Sequence, residues 1–442
     1  MATASRSAAF SALMRVEKDG SYSNIALDKL LAGSSLSGRD KAFCSKLFYG
    51  VLENKLLLDY NIAVRSKIPL GEIENAPLVM LRMGLYQIFF ADAVSNAAAV
   101  NETVGLCREA GFDRAAGFVN GILRTAAKDG TIRLPDPKKG RNKYYSVKYS
   151  CPEEIIKLWR QSYGDELALS SLEGLSGRPP LCIRVNTLKT TAEKLKASLE
   201  ASGVGAEYSD KLSNCLMLTG AGAVEQLAQY REGLFHVQDT ASQLCCMMLA
   251  PRPDETLLDV CAAPGGKTFT CAELMDGKGR IAACDKYSSR LGLVMSGAER
   301  LGISIVEAVA GDAAQSEFVQ ADKVLCDVPC SGLGIIRRKP ELRYKKELGL
   351  YQLPEIQYAI LCNAARFVKS GGYLMYSTCT LNPAENNGNA RRFLEAHGDF
   401  EPAALKLPDG IERKHTETEN ELTLFPEKNG TDGFFISLFR RK

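Results

Sequence analysis

Histidine and tryptophan are scarce in this chain, at three and one among 442 residues. With so few imidazoles and no cysteine pair at zinc-ligand spacing, no metal site is expected. Long apolar runs are also missing. The nearest, "APLVMLRMGLYQIFFADAV", is interrupted by Arg82 and Gln87. Its Leu78, Leu81, Leu85, Ile88 and Phe89 recur at helical spacing, so it reads as a buried helix and not as a membrane span. Charge of one sign is absent too. The 55 basic and 52 acidic residues leave a net +3, which by itself identifies no partner. No evident secretion signal accompanies the 14 cysteines, so they are expected as free thiols in a reducing, cytoplasmic compartment. The opening "MATASRSAAFSALMR" lacks acids, as a transit peptide does. Ala8, Ala12 and Val16 nevertheless continue at helical spacing toward "SNIALDKLL", which reads as the first helix of a folded domain.

What is present is the composition of a soluble globular protein, 45% hydrophobic and 24% charged, in a chain long enough for two or three domains. Helical periodicity fills residues 1 to about 130 of a helical domain assigned to residues 1–137, including "RDKAFCSKLFYGVLENKLLLDYNIAV" and "FDRAAGFVNGILRTAAKDG". The pattern breaks at "LPDPKKGRNKYYSVKYSCP", read as a linker with its boundary near Pro137. Residues 138–235 combine that linker with a small α+β unit built from helices and short strands such as "PLCIRVNT" and "NCLMLTG". Residues 236–442 alternate strands and helices: "TLLDVCA", "RIAACD", "SIVEAVAGD", "KVLCDVPC" and "GYLMYSTC". Short apolar strands between helices imply a parallel sheet covered on both faces, and the final "GFFISLFRR" breaks the alternation. The expected fold is therefore multidomain: an all-α domain, a small α+β subdomain and an α/β Rossmann-like domain.

Three strand ends carry the chemistry. "LLDVCAAPGGKT", "VLCDVPCSG" and "YLMYSTCTLNPAENN" each run from an apolar strand into a small-residue loop with a cysteine. In an open α/β sheet ligands bind beyond the carboxyl ends of the strands, at the switch in strand order. Gly265 and Gly266 allow close backbone approach to a nucleotide-like cofactor, although "GGKT" lacks the upstream glycine of a phosphate-binding P-loop. Asp285 ends the next strand, about 20 residues beyond the glycine turn, where an acid can hold a ribose. Asp312 follows the third strand and can hold an adenine; each acid alone could equally be a helix cap. Cys330 and Cys379 both begin polar turns and do not look like core filler. With a disulfide disfavoured by compartment and a metal by missing partners, nucleophilic thiol chemistry remains.

These motifs, with "DVPCSGLGIIRRKPELRY", "RVNTL", "HVQDTASQ" and the closing "DGFFISLF", resemble the Nol1/Nop2/Sun family of RNA (cytosine-5-)-methyltransferases over roughly residues 150–442. The preceding helices resemble the RNA-binding antitermination factor NusB, through "SNIALDKLL" and "FVNGILR", and that domain order resembles bacterial methyltransferases of small-subunit (16S) rRNA. The resemblance implies S-adenosylmethionine as cofactor, small-subunit rRNA as partner, and a monomer in the cytoplasm. It implies that Cys379 adds to carbon 6 of cytosine, that Cys330 releases the product, and that Asp327 hydrogen-bonds and protonates the pyrimidine edge. Lys267 would orient Asp327 and the cofactor. Cys261, Ala262, Ala263, Pro264, Gly265, Gly266 and Lys267 would form the cofactor loop, with Asp285 on the ribose, Asp312 on the adenine and Asp327 bordering the same site. Arg337, Arg338 and Lys339 are expected near RNA phosphates, their bland alternative being a solvated basic turn. Val328 stands where many members have alanine and Tyr344 where many have tryptophan, which touches only a stacking contact.

Two other readings have distinct signatures. A DNA cytosine methyltransferase carries its nucleophile in the proline-cysteine loop and has no partner like Cys379. A non-catalytic RNA-binding ribosome assembly factor that retains the fold predicts eroded cysteines or a broken cofactor loop, and both are intact here.

Overall fold

The computed structural model of the chain describes residues 3–177, 179–344, 352–414 and 417–442. Backbone contacts divide it into two compact units, Met1–Gly177 with Ile336–Lys346, and Arg178–Ile335 with Glu347–Lys442.

The first unit is helical. Its helices Ala4–Asp19, Ser23–Ala32, Gly38–Glu53, Lys55–Ala63, Asn75–Phe90, Asn96–Glu109 and Asp113–Asp129 close over a core that includes Phe48, Leu58, Leu81, Leu85, Val119 and Leu123. Helix Asn75–Phe90 is apolar almost all round because Ala76 through Gln87 are all buried. The two polar residues that interrupt this run are paired. Arg82 bonds both Asp59 carboxylate oxygens at 2.6 and 2.9 Å, and Gln87 Oε1 accepts from Arg6 Nε at 2.7 Å. The helical stretch over residues 39–64 forms two helices that meet at Asn54, whose side chain donates to the Gly50 carbonyl at 2.8 Å. Part of the stretch read as a linker is also regular, forming helix Arg141–Lys148.

The segment beginning at Ile336 belongs to this helical unit although the chain reaches it from a strand of the other. Glu341 accepts from the Ser23 amide at 3.0 Å, and Arg343 donates to the carbonyls of Tyr149 and Ser150, both at 3.3 Å. Tyr344 directs its hydroxyl to the Ser150 carbonyl at 2.8 Å, and the Lys55 ammonium lies 5.3 Å from its ring centre. Arg337, Arg338 and Lys339, expected at phosphates, are half-buried here. Arg337 donates to the Gly177 carbonyl at 3.3 Å, and the Lys339 ammonium lies 5.1 Å from the Tyr22 ring centre.

The second unit holds two sheets. Strands β1 (Leu181–Val185), β2 (Gly205–Tyr208), β3 (Cys215–Thr219) and β4 (Phe235–Val237) form an antiparallel sheet of order β2-β3-β1-β4. The larger sheet contains β5 (Thr256–Asp259), β6 (Arg280–Asp285), β7 (Val306–Ala310), β8 (Ala321–Asp327), β9 (Val368–Thr378), β10 (Phe400–Pro402), β11 (Glu421–Leu424) and β12 (Phe434–Arg441). Its order is β10-β12-β9-β8-β5-β6-β7, with β11 beside β12. The strands from β9 to β7 are parallel, as their apolar runs require, while β12, β11 and β10 are antiparallel additions. The order runs outward in opposite directions from β5 and β8, which makes their carboxyl ends the switch point where a crevice opens.

Candidate active site

The cofactor-loop residues occupy the turn from β5 into helix Gly266–Leu274. Gly265 has φ of 110°, and a Cβ there would meet the Phe269 ring at 2.3 Å, so the turn requires glycine. The Ala263–Pro264 peptide is cis. No side chain caps the helix that follows, which leaves its N-terminal end as an acceptor site for an anionic group. At the end of β5, Asp259 Oδ2 accepts from Thr268 Oγ1 at 2.7 Å, while the buried Oδ1 has no hydrogen-bond partner. Burial pushes the Asp259 carboxyl up to about 7.

Asp285 closes β6, buried, and accepts from the Tyr287 amide at 3.0 Å. Arg290 pairs with its Oδ2 at 2.9 Å and donates to the Ala263 carbonyl at 2.8 Å, tying the acid to the cofactor loop. Asp312 follows β7 and pairs with Lys286 at 2.9 Å; that contact, with the Ala314 amide, holds its carboxyl below the usual range. Together the residues fit S-adenosylmethionine by donor chemistry. An uncapped helix end suits a carboxylate, an orphan carboxylate oxygen suits an ammonium, and Asp285 suits a diol.

The two cysteines meet because β8 and β9 are parallel neighbours in register, with Asp327 opposite Ser377. The turns that leave them emerge side by side, and Cys330 Sγ lies 3.2 Å from Cys379 Sγ. Both thiols are half-buried. The contact with Cys379, then burial, then the charges of Cys379 and Glu385 push the Cys330 thiol well up, so it is protonated at neutral pH.

Lys267 reaches from the cofactor loop to Asp327 Oδ2 at 2.7 Å and to Ser242 Oγ at 3.3 Å, with its ammonium 5.1 Å from the Phe434 ring centre. Burial works against the charge on Lys267, but the Asp327 carboxylate overcomes it and raises the ammonium above its usual value. Asp327 Oδ1 accepts from Ser377 Oγ at 2.8 Å. The structure thus joins Lys267 to Asp327 and Cys330 to Cys379, and sets Asp285 at the end of β6 and Asp312 just after β7, farther along the same edge.

Backbone packing locks the Cys379 turn. The Gly334 amide donates to the Cys379 carbonyl at 3.0 Å, and the Gly433 amide to the Gly334 carbonyl at 2.9 Å. A Cβ on Gly334 would fall 1.9 Å from the Gly433 carbonyl oxygen. Sequence reasoning assigned no role to Asp259, Ser242, Arg290, Ser377, Gly334 or Gly433. The quoted motifs "LLDVCAAPGGKT", "DVPCSGLGIIRRKPELRY", "YSTCTLNPAENN", "HVQDTASQ" and "DGFFISLF" contain Asp259, Gly334, Ser377, Ser242 and Gly433; Arg290 lies in none of them. Among the described residues no group of His, Cys, Asp and Glu could hold a metal ion, and no helix is long and apolar enough to cross a membrane.

Known proteins resemble this chain over its whole length. Residues 246–440 match the family described as 16S rRNA methyltransferase RsmB/F. Residues 3–128 match the NusB family, and residues 151–225 the ferredoxin-like domain of RsmF/B-like methyltransferases. A probable ribosomal RNA small subunit methyltransferase B from Bacillus subtilis (strain 168) is 34% identical, over 100% of this chain and 99% of that protein. Its namesake from Synechocystis sp. (strain ATCC 27184 / PCC 6803 / Kazusa) is 36% identical over 99% of each. The crystal structure of PH0851 superposes with a TM-score of 0.84 at 27% identity, covering 100% of both chains.

Proposed function

The chain belongs to the 16S rRNA methyltransferase RsmB/F family, uses S-adenosylmethionine and methylates ribosomal RNA; from that premise we propose that its target is carbon 5 of a cytosine in small-subunit rRNA, reached through a covalent bond to Cys379. The observation that carries this reading is the 3.2 Å approach of two thiols at the switch point of the sheet. Carbon 5 of cytosine is a poor nucleophile. Addition of the Cys379 thiolate at carbon 6 pushes electron density onto carbon 5 and onto the N3 edge of the ring. The Lys267–Asp327 pair holds a proton between groups 2.7 Å apart and delivers it through Asp327 to that edge, balancing the charge.

Bound S-adenosylmethionine supplies the electrophilic methyl group. The loop from Cys261 to Lys267 would hold it, with Asp285 on its ribose and Asp312 on its adenine. After transfer, Cys379 is bonded to carbon, so the thiol contact that chiefly raised Cys330 no longer acts on it. Cys330 then loses its own proton to solvent and, as thiolate, takes the carbon-5 proton; the 5,6 double bond reforms as the carbon 6–sulfur bond breaks, the Cys379 sulfur leaves as thiolate, and N3 returns its proton to Asp327. The target base must be unpaired or flipped out, which costs a few kcal/mol unless the RNA is already open.

The test is nucleoside analysis of small-subunit rRNA after incubation with the enzyme and isotopically labelled S-adenosylmethionine. Labelled 5-methylcytidine is expected. Label confined to any other nucleoside overturns the carbon-5 assignment.

A further inference from the structure

Glu385 lies six residues after Cys379 and has no exposed surface, yet the reaction as derived above gives it no part. Four donors saturate its carboxylate. Oε1 accepts from Ser331 Oγ at 2.5 Å and Asn382 Nδ2 at 2.9 Å; Oε2 accepts from the Ser331 amide at 2.9 Å and Gln357 Nε2 at 2.8 Å. Gln357 Nε2 also donates to the Pro329 carbonyl at 2.9 Å. Both residues that flank Cys330 are therefore held by one buried carboxylate, Ser331 directly and Pro329 through Gln357. Ser331 Oγ meets Thr380 Oγ1 at 2.7 Å, so the same cluster reaches the residue after Cys379.

A buried carboxylate is costly unless donors surround it, and a polar cluster that is fully satisfied fixes a single geometry. Here the fixed geometry is the turn that carries Cys330. We propose that Glu385 is a positioning residue for product release, its carboxylate clamping the Pro329–Ser331 turn so that the Cys330 thiol stays beside Cys379. The assignment rests on the reading of Cys379 as nucleophile and Cys330 as release group. A glutamine at this position keeps one acceptor oxygen but turns an NH2 toward donors now bonded to the other, so the turn loses part of its clamp.

The experiment compares full-length Glu385→Gln, Ser331→Ala and Cys330→Ala with the unaltered protein on small-subunit rRNA and S-adenosylmethionine. Single-turnover methyl transfer, steady-state turnover and denaturation-resistant protein–RNA adduct are read together, with cofactor binding as the check of folding. For Glu385→Gln, turnover should fall by on the order of 10²-fold, the scale of a 1 Å misplacement, while the first methyl transfer is little changed and adduct accumulates. Ser331→Ala keeps the carboxylate and should show the same pattern more weakly. If Glu385→Gln no longer binds cofactor, Ser331→Ala decides the matter alone.

Unchanged turnover in both variants overturns the proposal, as does equal loss of first transfer and turnover without adduct, provided Cys330→Ala accumulates adduct in the same gels. Absence of adduct from Cys330→Ala overturns the underlying reading of the two thiols, and the role of Glu385 with it.

Discussion

Asp259 carries a carboxyl that the fold opposes ionising: burial raises it from 3.8 to about 7 against the hydrogen bond from Thr268. A carboxyl raised in the folded state contributes stability that is complete below its unfolded value and is lost as pH rises through the folded one. Between about pH 4 and 7 the cofactor-free protein should therefore weaken relative to Asp259→Asn, by at most about 1.4 kcal/mol per pH unit. Denaturant unfolding of both proteins across that range checks it, and a pH-independent difference would contradict it. Lys267 and Asp327 act as a unit at 2.7 Å, so Lys267→Met and Asp327→Asn should each cost on the order of 10²-fold or more in turnover. The double variant should be little worse than either, as measured by steady-state methylation. Cys330, Cys379, Lys267 and Asp327 were legible because each sits in a short motif beside a strand. Glu385, Ser377 and Ser242 also lie in quoted motifs but were given no role, since the partners that define them, Ser331, Asp327 and Lys267, are 25 to 54 residues away.

At the scale of elements, most strands that read from sequence, β1, β3, β5, β6, β8, β9 and β12, carry largely buried apolar runs, while β7 was read from its alternation with helices although most of it is not buried. Strands β2, β10 and β11 are three or four residues long and include charged or exposed positions, so no run announces them. What joins the readable strands into a site is the close packing of turns. Gly334→Ala would drive a Cβ into the Gly433 carbonyl and displace the amide that holds the Cys379 carbonyl. It should cost about 1–3 kcal/mol of stability, and activity should fall further than that loss alone would produce. Gly398→Ala has open space around its Cβ and is the matched control, expected to leave both unchanged. Thermal unfolding and methylation assays on the two variants separate the outcomes.

On the scale of the whole molecule, the helical unit was legible from its 3.6-residue periodicity, but its use of residues from Ile336 onward was not. Glu341 and Arg343 look like solvated charges in sequence, and contacts with Ser23, Tyr149 and Ser150, 193 to 318 residues away, help to make them interior. The basic stretch read as a linker keeps Lys138, Lys139 and Lys143 exposed, around the helix Arg141–Lys148. If that stretch docks rRNA through phosphates, replacing the three lysines by alanine should lower affinity and reduce the salt slope by about one unit per lost contact. Titration at several salt concentrations reads this, and an unchanged slope would remove the stretch from the RNA interface. The claim that joins all three scales is that one thiol attacks the base and the other frees it. Its most direct measurement is a denaturing gel of full-length Cys379→Ala and Cys330→Ala incubated with small-subunit rRNA and S-adenosylmethionine. The account predicts a covalent protein–RNA band that accumulates in Cys330→Ala and is absent from Cys379→Ala; the reverse pattern, with the band in Cys379→Ala alone, would contradict it.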